Sequence, residues 1–229
     1  MDADLRARLT DITGSSAVDD DTVSPDTAEQ VEQVCAALAA AGTRIAVSSA
    51  PARAAAGRGK AAAGNGAAGA VAKAVTVSLS RLDGVEVEAD RLVARAGAGA
   101  SLGNLRAAVE KAGFILAAAV DDVPADTRVG ELVGRGLLSR RALTGIEAVL
   151  PDGGRVGAGG AVLKDVAGYD LAAALLGSEG RLALVTAAYF RLQPRGVPRE
   201  ASQAAGVPRA VLGDALALAF DPERLLTGP

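Results

Sequence analysis

In "AEQVEQVCAALAAAG" the apolar residues Val31, Val34, Cys35 and Leu38 recur every three to four positions, the spacing that gathers them on one face of a helix. Asp26 or Thr27 can cap that helix and Gly42 is a suitable stop. "TRIAVS" then reads as a strand. Farther on, "AVTVSLSRLDGVEVEADRLVARAGAGA" alternates in polarity and breaks at Asp83-Gly84 and Ala89-Asp90, which predicts three short strands. "SLGNLRAAVEKAG" predicts a helix capped by Ser101 and stopped by Gly113. The second half predicts a strand in "GIEAVLP", a turn at Asp152-Gly153, a short strand in "RVGA", a helix from Tyr169 to Leu176 and a long strand in "LALVTAAYFRLQP". Strand pairs separated by single helices point to an α+β class rather than a regular βαβ repeat. The polar, acidic residues Met1 to Asp21 read as a solvated lead-in. Arg195 to Pro229 read as a tail with one amphipathic stretch, "RAVLGDALALAF".

Composition narrows the chemistry. A chain of 229 residues suits one domain or two small lobes sharing an interface. Half of it is apolar, yet no uncharged apolar run approaches the roughly 18 residues of a membrane span and no leader pattern opens it; a cytoplasmic protein is expected, at most peripheral to the inner membrane through partners. A net charge of −3 with scattered Lys and Arg offers no basic stripe for nucleic acid. Cys35, the only cysteine, falls on the apolar helix face and is expected to be a core thiol. With one cysteine and no histidine, an internal disulfide is excluded and no metal site is expected. The missing histidines also remove the usual proton acceptor near neutral pH. A cofactor or a partner would then have to supply the reactive chemistry.

From Ala50 to Lys73 alanine and glycine dominate, with no usable period, and a mobile loop is expected. Two motifs inside it fail on context. "GNGAAG" matches G-x-G-x-x-G but lies in a loop and precedes a strand instead of opening a helix. "AAAGRGKA" lacks the first glycine and the Ser or Thr of a phosphate-binding P-loop.

"VLKDVAGYDLAAALLGSEGRLALVTAAYFRLQP" resembles the V-K-x-V-A-G-Y-D-L, G-S-x-G, L-x-x-x-T segment of FAD-binding domains of the vanillyl-alcohol oxidase (PCMH) type, and within them the FAD-binding subunit of bacterial glycolate oxidase. "VSPDTAEQVEQVCAALAAAGTRIAV", "LSRLDGVEVEADRLVARAGAGASLGNLRAAVEKAGFILA" and "TRVGELVG" extend the likeness, which runs from about Val23 to Pro194. The resemblance implies two α+β lobes, residues 1–80 and 81–194, clasping an extended, non-covalent FAD, with 195–229 as a tail and no complete substrate cap domain. It implies that Thr127 and Gly130 lie beside the flavin and that Gly180, Leu184, Val185 and Thr186 line its binding strand, with Gly168 in the tight turn of the Gly-Tyr-Asp block. For Tyr169 and Asp170 an equal alternative is structural: a buried, hydrogen-bonded ring and a helix cap.

Three places depart from the family pattern. Ser48, Ser49, Ala50 and Pro51 stand where a glycine-rich pyrophosphate turn is expected, so Ser48 and Ser49 become the candidate anion contacts. Glu131 replaces a second glycine, placing a negative charge beside the flavin-facing turn. Between Gly134 and Gly145 the chain is shorter than the family by about a dozen residues. The resemblance implies an FAD-binding subunit of a 2-hydroxy-acid oxidoreductase, working with a larger FAD-linked oxidase subunit and an iron-sulfur subunit. The departures imply the alternative, a cofactor-free structural subunit that keeps the fold.

Overall fold

The structure, a computed structural model, describes residues 1–50, 74–160, 170–197 and 219–227. Lys164, Gly168, Tyr169, the two glycine motifs before Lys73 and the amphipathic stretch of the tail as far as Leu218 lie outside them. Among the described residues no helix is long and apolar enough to cross a membrane.

The first sheet runs β1 (Val18–Asp19), β2 (Thr22–Val23), β4 (Val75–Ser78), β3 (Ile45–Ser48) and β11 (Leu226–Thr227) in spatial order. All neighbours after the β1–β2 hairpin are parallel. Helix α2, Ala28–Ala40, covers it: the Thr27 side chain accepts from the Gln30 N–H at 3.2 Å, and the turn at Gly42 takes φ of 59°. Val31, Val34, Cys35 and Leu38 are wholly buried against Val23, Ile45, Val75 and Val77. Each such side chain contributes about 1.5–3 kcal/mol by leaving water. Burial also pushes the Cys35 thiol up to about 12, so it stays protonated and inert, as its helix face implies.

One expectation fails at the N-terminus. Met1 to Asp21 is not a solvated lead-in: Ala3–Thr13 form α1, capped by the Asp2 carboxylate on the Leu5 N–H at 2.7 Å. Leu5 and Leu9, one helical turn apart, enter the core beside α2. Only two leucines bury, and a helix this polar has little to hold it except the apolar face α2 presents.

The second sheet is antiparallel, in the order β5 (Val85–Glu88), β6 (Val93–Gly97), β10 (Leu184–Pro194), β8 (Leu143–Val149) and β9 (Arg155–Gly159), with β7 (Phe114–Leu116) paired to the far end of β10. β10, the predicted long strand, is its spine. Side chains alternate between faces. Ala94, Ala96, Ile146, Ala148, Ala188 and Phe190 form one apolar face, under α3 (Leu102–Lys111), α4 (Val129–Gly134) and α5 (Leu171–Leu175). Ser101 caps α3 on the Asn104 N–H at 3.1 Å. The opposite face carries charge: Arg95 grips the Glu147 carboxylate through two bonds of 3.0 and 2.7 Å, and the Tyr189 hydroxyl donates to it at 2.5 Å.

The lobes meet where the chain passes from β4 to β5. A Cβ on Gly97 would stand 2.1 Å from the Leu82 carbonyl oxygen, and one on Gly99 2.4 Å from that of Ser80, so bare Cα atoms let the connecting backbone lie against β6. Ala98, Val149 and Leu184, all from the second sheet or its margin, are buried in the first lobe's core. The Asp152-Gly153 turn packs on α2, and Arg155 beyond it pairs with Glu29 at 2.9 Å and Glu32 at 2.5 Å. From the C-terminal stretch, Leu225 joins the first lobe's core and β11 pairs with β3, so the end of the chain closes back on its beginning.

Candidate cofactor cleft

Three segments converge at the C-terminal end of β3. The first is Ser48-Ser49-Ala50. The Ser48 hydroxyl lies 3.2 Å from both the N–H and the carbonyl of Ala50, forming a tight local turn, and the Ser78 hydroxyl donates to the same carbonyl at 3.1 Å. The second is the start of α4. Thr127 is buried, its carbonyl accepting from the Leu102 N–H at 2.9 Å, while the Gly130 N–H is spent on the Ala98 carbonyl at 2.9 Å. The third is the turn Gly177–Gly180, pinned to the end of α4 by bonds from Gly177 N–H to Val133 at 2.8 Å and from Glu179 N–H to Gly134 at 2.9 Å.

Contacts between these segments are close. A Cβ on Gly130 would stand 2.9 Å from the Ser49 Cβ and 3.3 Å from that of Ala98; one on Gly180 would meet Val47 at 3.7 Å. Ser48-Ser49, Gly130 and Gly180, from three segments far apart in sequence, thus lie along one small-residue wall between the lobes. Leu184 is fully buried in the first lobe's core and Val185 nearly so in the second's, where both pack. The register slips between Val185 and Ala187, a bulge that turns Thr186 toward the charged face. There it lines a cleft of about 410 Å³ with Arg95, Gly97, Glu147, Leu82 and Arg155. Gly168 lies outside the described residues. Asp170 is a helix cap: its carboxylate accepts from the Ala173 N–H at 3.0 Å and from the Arg140 side chain at 2.7 and 2.9 Å.

The charge of Glu131 is answered locally. Its carboxylate pairs with Arg135, one turn along α4, at 2.8 Å, and Glu179 pairs with Arg181 at 3.5 Å. A wall of small side chains whose neighbouring carboxylates are each paired with an arginine fits the edge of an anionic dinucleotide. The stretch after Gly134 is spanned by a tight turn at Gly136, with φ of 64° against Gly177, and a single 3₁₀ turn, Arg140–Ala142. Sequence reasoning passed over Ser178, inside the G-S-x-G motif, whose hydroxyl is buried; only its position between the two glycines marked it.

No family model matches the chain. It is 33% identical over 130 residues to D-lactate dehydrogenase from Archaeoglobus fulgidus, an alignment covering 54% of this chain and 29% of that protein. It is 45% identical over 64 residues to glycolate oxidase subunit GlcD from Bacillus subtilis, covering 27% and 14%. Among solved structures, 4-ethylphenol oxidase from Gulosibacter chungangensis superposes with a TM-score of 0.59 at 16% identity, covering 86% of this chain and 43% of that one. Berberine bridge enzyme from Eschscholzia californica superposes with a TM-score of 0.57 at 15% identity, covering 85% and 38%. The fold is that of the vanillyl-alcohol oxidase (PCMH) type of FAD-binding domain. Two further relatives, from Mycobacterium tuberculosis and each 45% identical over 58 residues, are named as FAD-linked oxidoreductases. The chain spans less than a third of the length of the curated relatives it matches. The α+β class expected from the strand and helix pattern is observed, and so are the two lobes that the resemblance implies, one around each sheet.

Proposed function

We propose that this chain is the FAD-holding part of a 2-hydroxy-acid oxidoreductase acting on glycolate- or lactate-like substrates. The observation that carries the reading is the wall at the end of β3, where Gly130 stands against Ser49 and Gly180 against Val47 between two lobes of this fold. Its relatives, named as a D-lactate dehydrogenase and a glycolate oxidase subunit, support the substrate class.

Bound FAD would supply the redox chemistry, accepting the electrons of the hydroxy acid. The chain's own residues bind and orient. Ser48 and Ser49 would face the phosphates, Thr127 and Gly130 would border the flavin, and the Gly177–Gly180 turn would close the opposite side. Leu184 and Val185 would act from behind, their buried side chains holding β10 in place. With no histidine in the chain, no residue here is assigned to remove a substrate proton, and that task falls to a partner. The partners proposed are a larger FAD-linked oxidase subunit and an iron-sulfur subunit, in the cytoplasm or at the inner membrane through them. The test is the visible spectrum of the full chain, purified alone and after adding FAD. A flavin band that stays with the protein through gel filtration supports the reading, and a colourless chain that leaves added FAD free overturns it.

A second reading, a cofactor-free structural subunit, is favoured by one observation: the Ser49 side chain stands over Gly130, whose N–H is already taken by Ala98. The same spectrum separates the two, and co-purification with the partner subunits is required by both.

A further inference from the structure

The turn between β8 and β9 is shaped to lie on the other lobe. The Leu150 N–H donates to the Gly154 carbonyl at 2.7 Å and the Gly153 N–H to the Leu150 carbonyl at 3.0 Å, while the Asp152 carboxylate accepts from the Gly154 N–H at 2.8 Å. Gly153 takes φ of 93°, and a Cβ there would stand 2.6 Å from the Glu32 carbonyl oxygen of α2, so only a bare Cα lets the two backbones meet. Just past the turn, Arg155 reaches back to the same helix and donates to Glu29 and Glu32 from two different nitrogens. Those carboxylates lie one turn apart on α2 and repel each other without it. Beside this contact the lobes are parted by the cleft of about 410 Å³, which Glu29 lines from one lobe and Arg155 from the other. Cys35 stands one further turn along α2 from Glu32, in a core that Val149 of β8 helps to close, and the Asp152 charge adds to the burial that holds its thiol up.

We propose that Arg155 and this turn form an ionic clasp between the lobes: when its charges are screened or removed, the turn lifts from α2 and the seam opens locally while each lobe stays folded. The pairs suit that task because Arg155 and Glu29 are exposed. An exposed pair contributes little and is weakened by salt, so two pairs on one arginine hold the turn closed without making the closure permanent. At the joint itself, the packing of Gly97 and Gly99 against carbonyl groups involves no ion pair, and it keeps the lobes tethered as the clasp opens. The device does not depend on the flavin reading.

The reporter is Cys35, the single thiol of the chain and wholly buried. Its labelling by N-ethylmaleimide, a neutral reagent, is followed by mass on the full native chain and divided by the rate for the urea-unfolded chain at the same salt. Raising sodium chloride from about 0.02 M to about 1 M is expected to speed wild-type labelling about 2- to 5-fold. Arg155→Gln is expected to label about 2- to 10-fold faster than wild type at low salt and to lose the salt dependence. Arg91→Gln removes an exposed pair within the second lobe, to Glu88 at 3.0 Å, and should label at the wild-type rate. Equal labelling of wild type and Arg155→Gln at low salt overturns the proposal, and so does an acceleration that Arg91→Gln shares. Native labelling that climbs steeply with the first additions of urea also overturns it, because that is the mark of global unfolding, whereas a local opening exposes little surface and responds weakly. Should Arg155→Gln fail to fold, the salt series on the wild-type chain decides alone, and a flat series there overturns the clasp.

Discussion

Two glycine clusters in this molecule do different work. Gly97 and Gly99 are bare because protein fills the space: the carbonyls of Leu82 and Ser80 lie 2.1 and 2.4 Å from where their Cβ atoms would be. Gly180 is different, with nothing nearer than Val47 at 3.7 Å but a φ of 73°. The first cluster locks the lobes together, and the second shapes a turn that lies against Val47 at the end of β3. Glycine richness around a cofactor site is therefore not one signal. Part of it is packing that any two-lobe scaffold needs, whether or not a ligand is bound.

Gly97→Ala should break the comparison most severely. No flexible side chain can yield there, only backbone, so a loss of about 3 kcal/mol is expected, seen as a fall in melting temperature of roughly 6–12 °C. Gly84→Ala is the control, since no atom lies within 4 Å of its added methyl; its melting temperature should move by about 1 °C or less.

Gly180→Ala should cost about 1–2 kcal/mol, because the loss is conformational and not steric. It should also weaken FAD binding, whereas Gly84→Ala should not. Equal effects of Gly97→Ala and Gly180→Ala on melting, with neither touching FAD affinity, would erase the distinction between the clusters.

On the same face of β6 as Gly97, Arg95 holds the Glu147 carboxyl below its usual range, outweighing the opposing effect of burial, with help from the Tyr189 hydroxyl. Burial and the Glu147 charge push Tyr189 up. A depressed carboxylate contributes stability above its unfolded pKa and loses it as the pH falls through the lower folded value. Glu147→Gln should therefore lower stability at pH 7 by about 1 kcal/mol, a figure kept small by the partial exposure of the pair. The gap between variant and wild type should close in acid, below pH about 4, and a gap that stays constant from neutral pH into acid would count against the pairing. Apart from the Gly84 control the smallest loss belongs to Asp170→Ala, which removes the α5 cap and the Arg140 bond, for about 0.5–1 kcal/mol. It should leave FAD affinity unchanged, in keeping with a structural role.

Much of the architecture was legible before any coordinates. The α2 stripe of Val31, Val34, Cys35 and Leu38, the caps at Thr27 and Ser101, and the strands β3 to β6 and β8 to β10 all follow from periodicities of a few residues and from side chains that bond their own backbone. These are short-range effects, written in neighbouring letters. The Gly-Tyr-Asp block pointed to the fold through likeness and not through physics, and Asp170 within it proved to be a cap.

What could not be read in neighbouring letters depends on distance between segments. α1 buries Leu5 and Leu9 because α2 offers them a surface. β11, two residues long, exists because β3 exposes an edge. Gly97 was no more conspicuous than Gly84 until Leu82 was seen against it, and Ser178 was an ordinary serine until its hydroxyl was found enclosed. Periodicity and caps act within a turn or two of the chain. Close approach and burial arise where remote segments pack, and there the same residue type can be a lock, a hinge or a contact according to what folds against it.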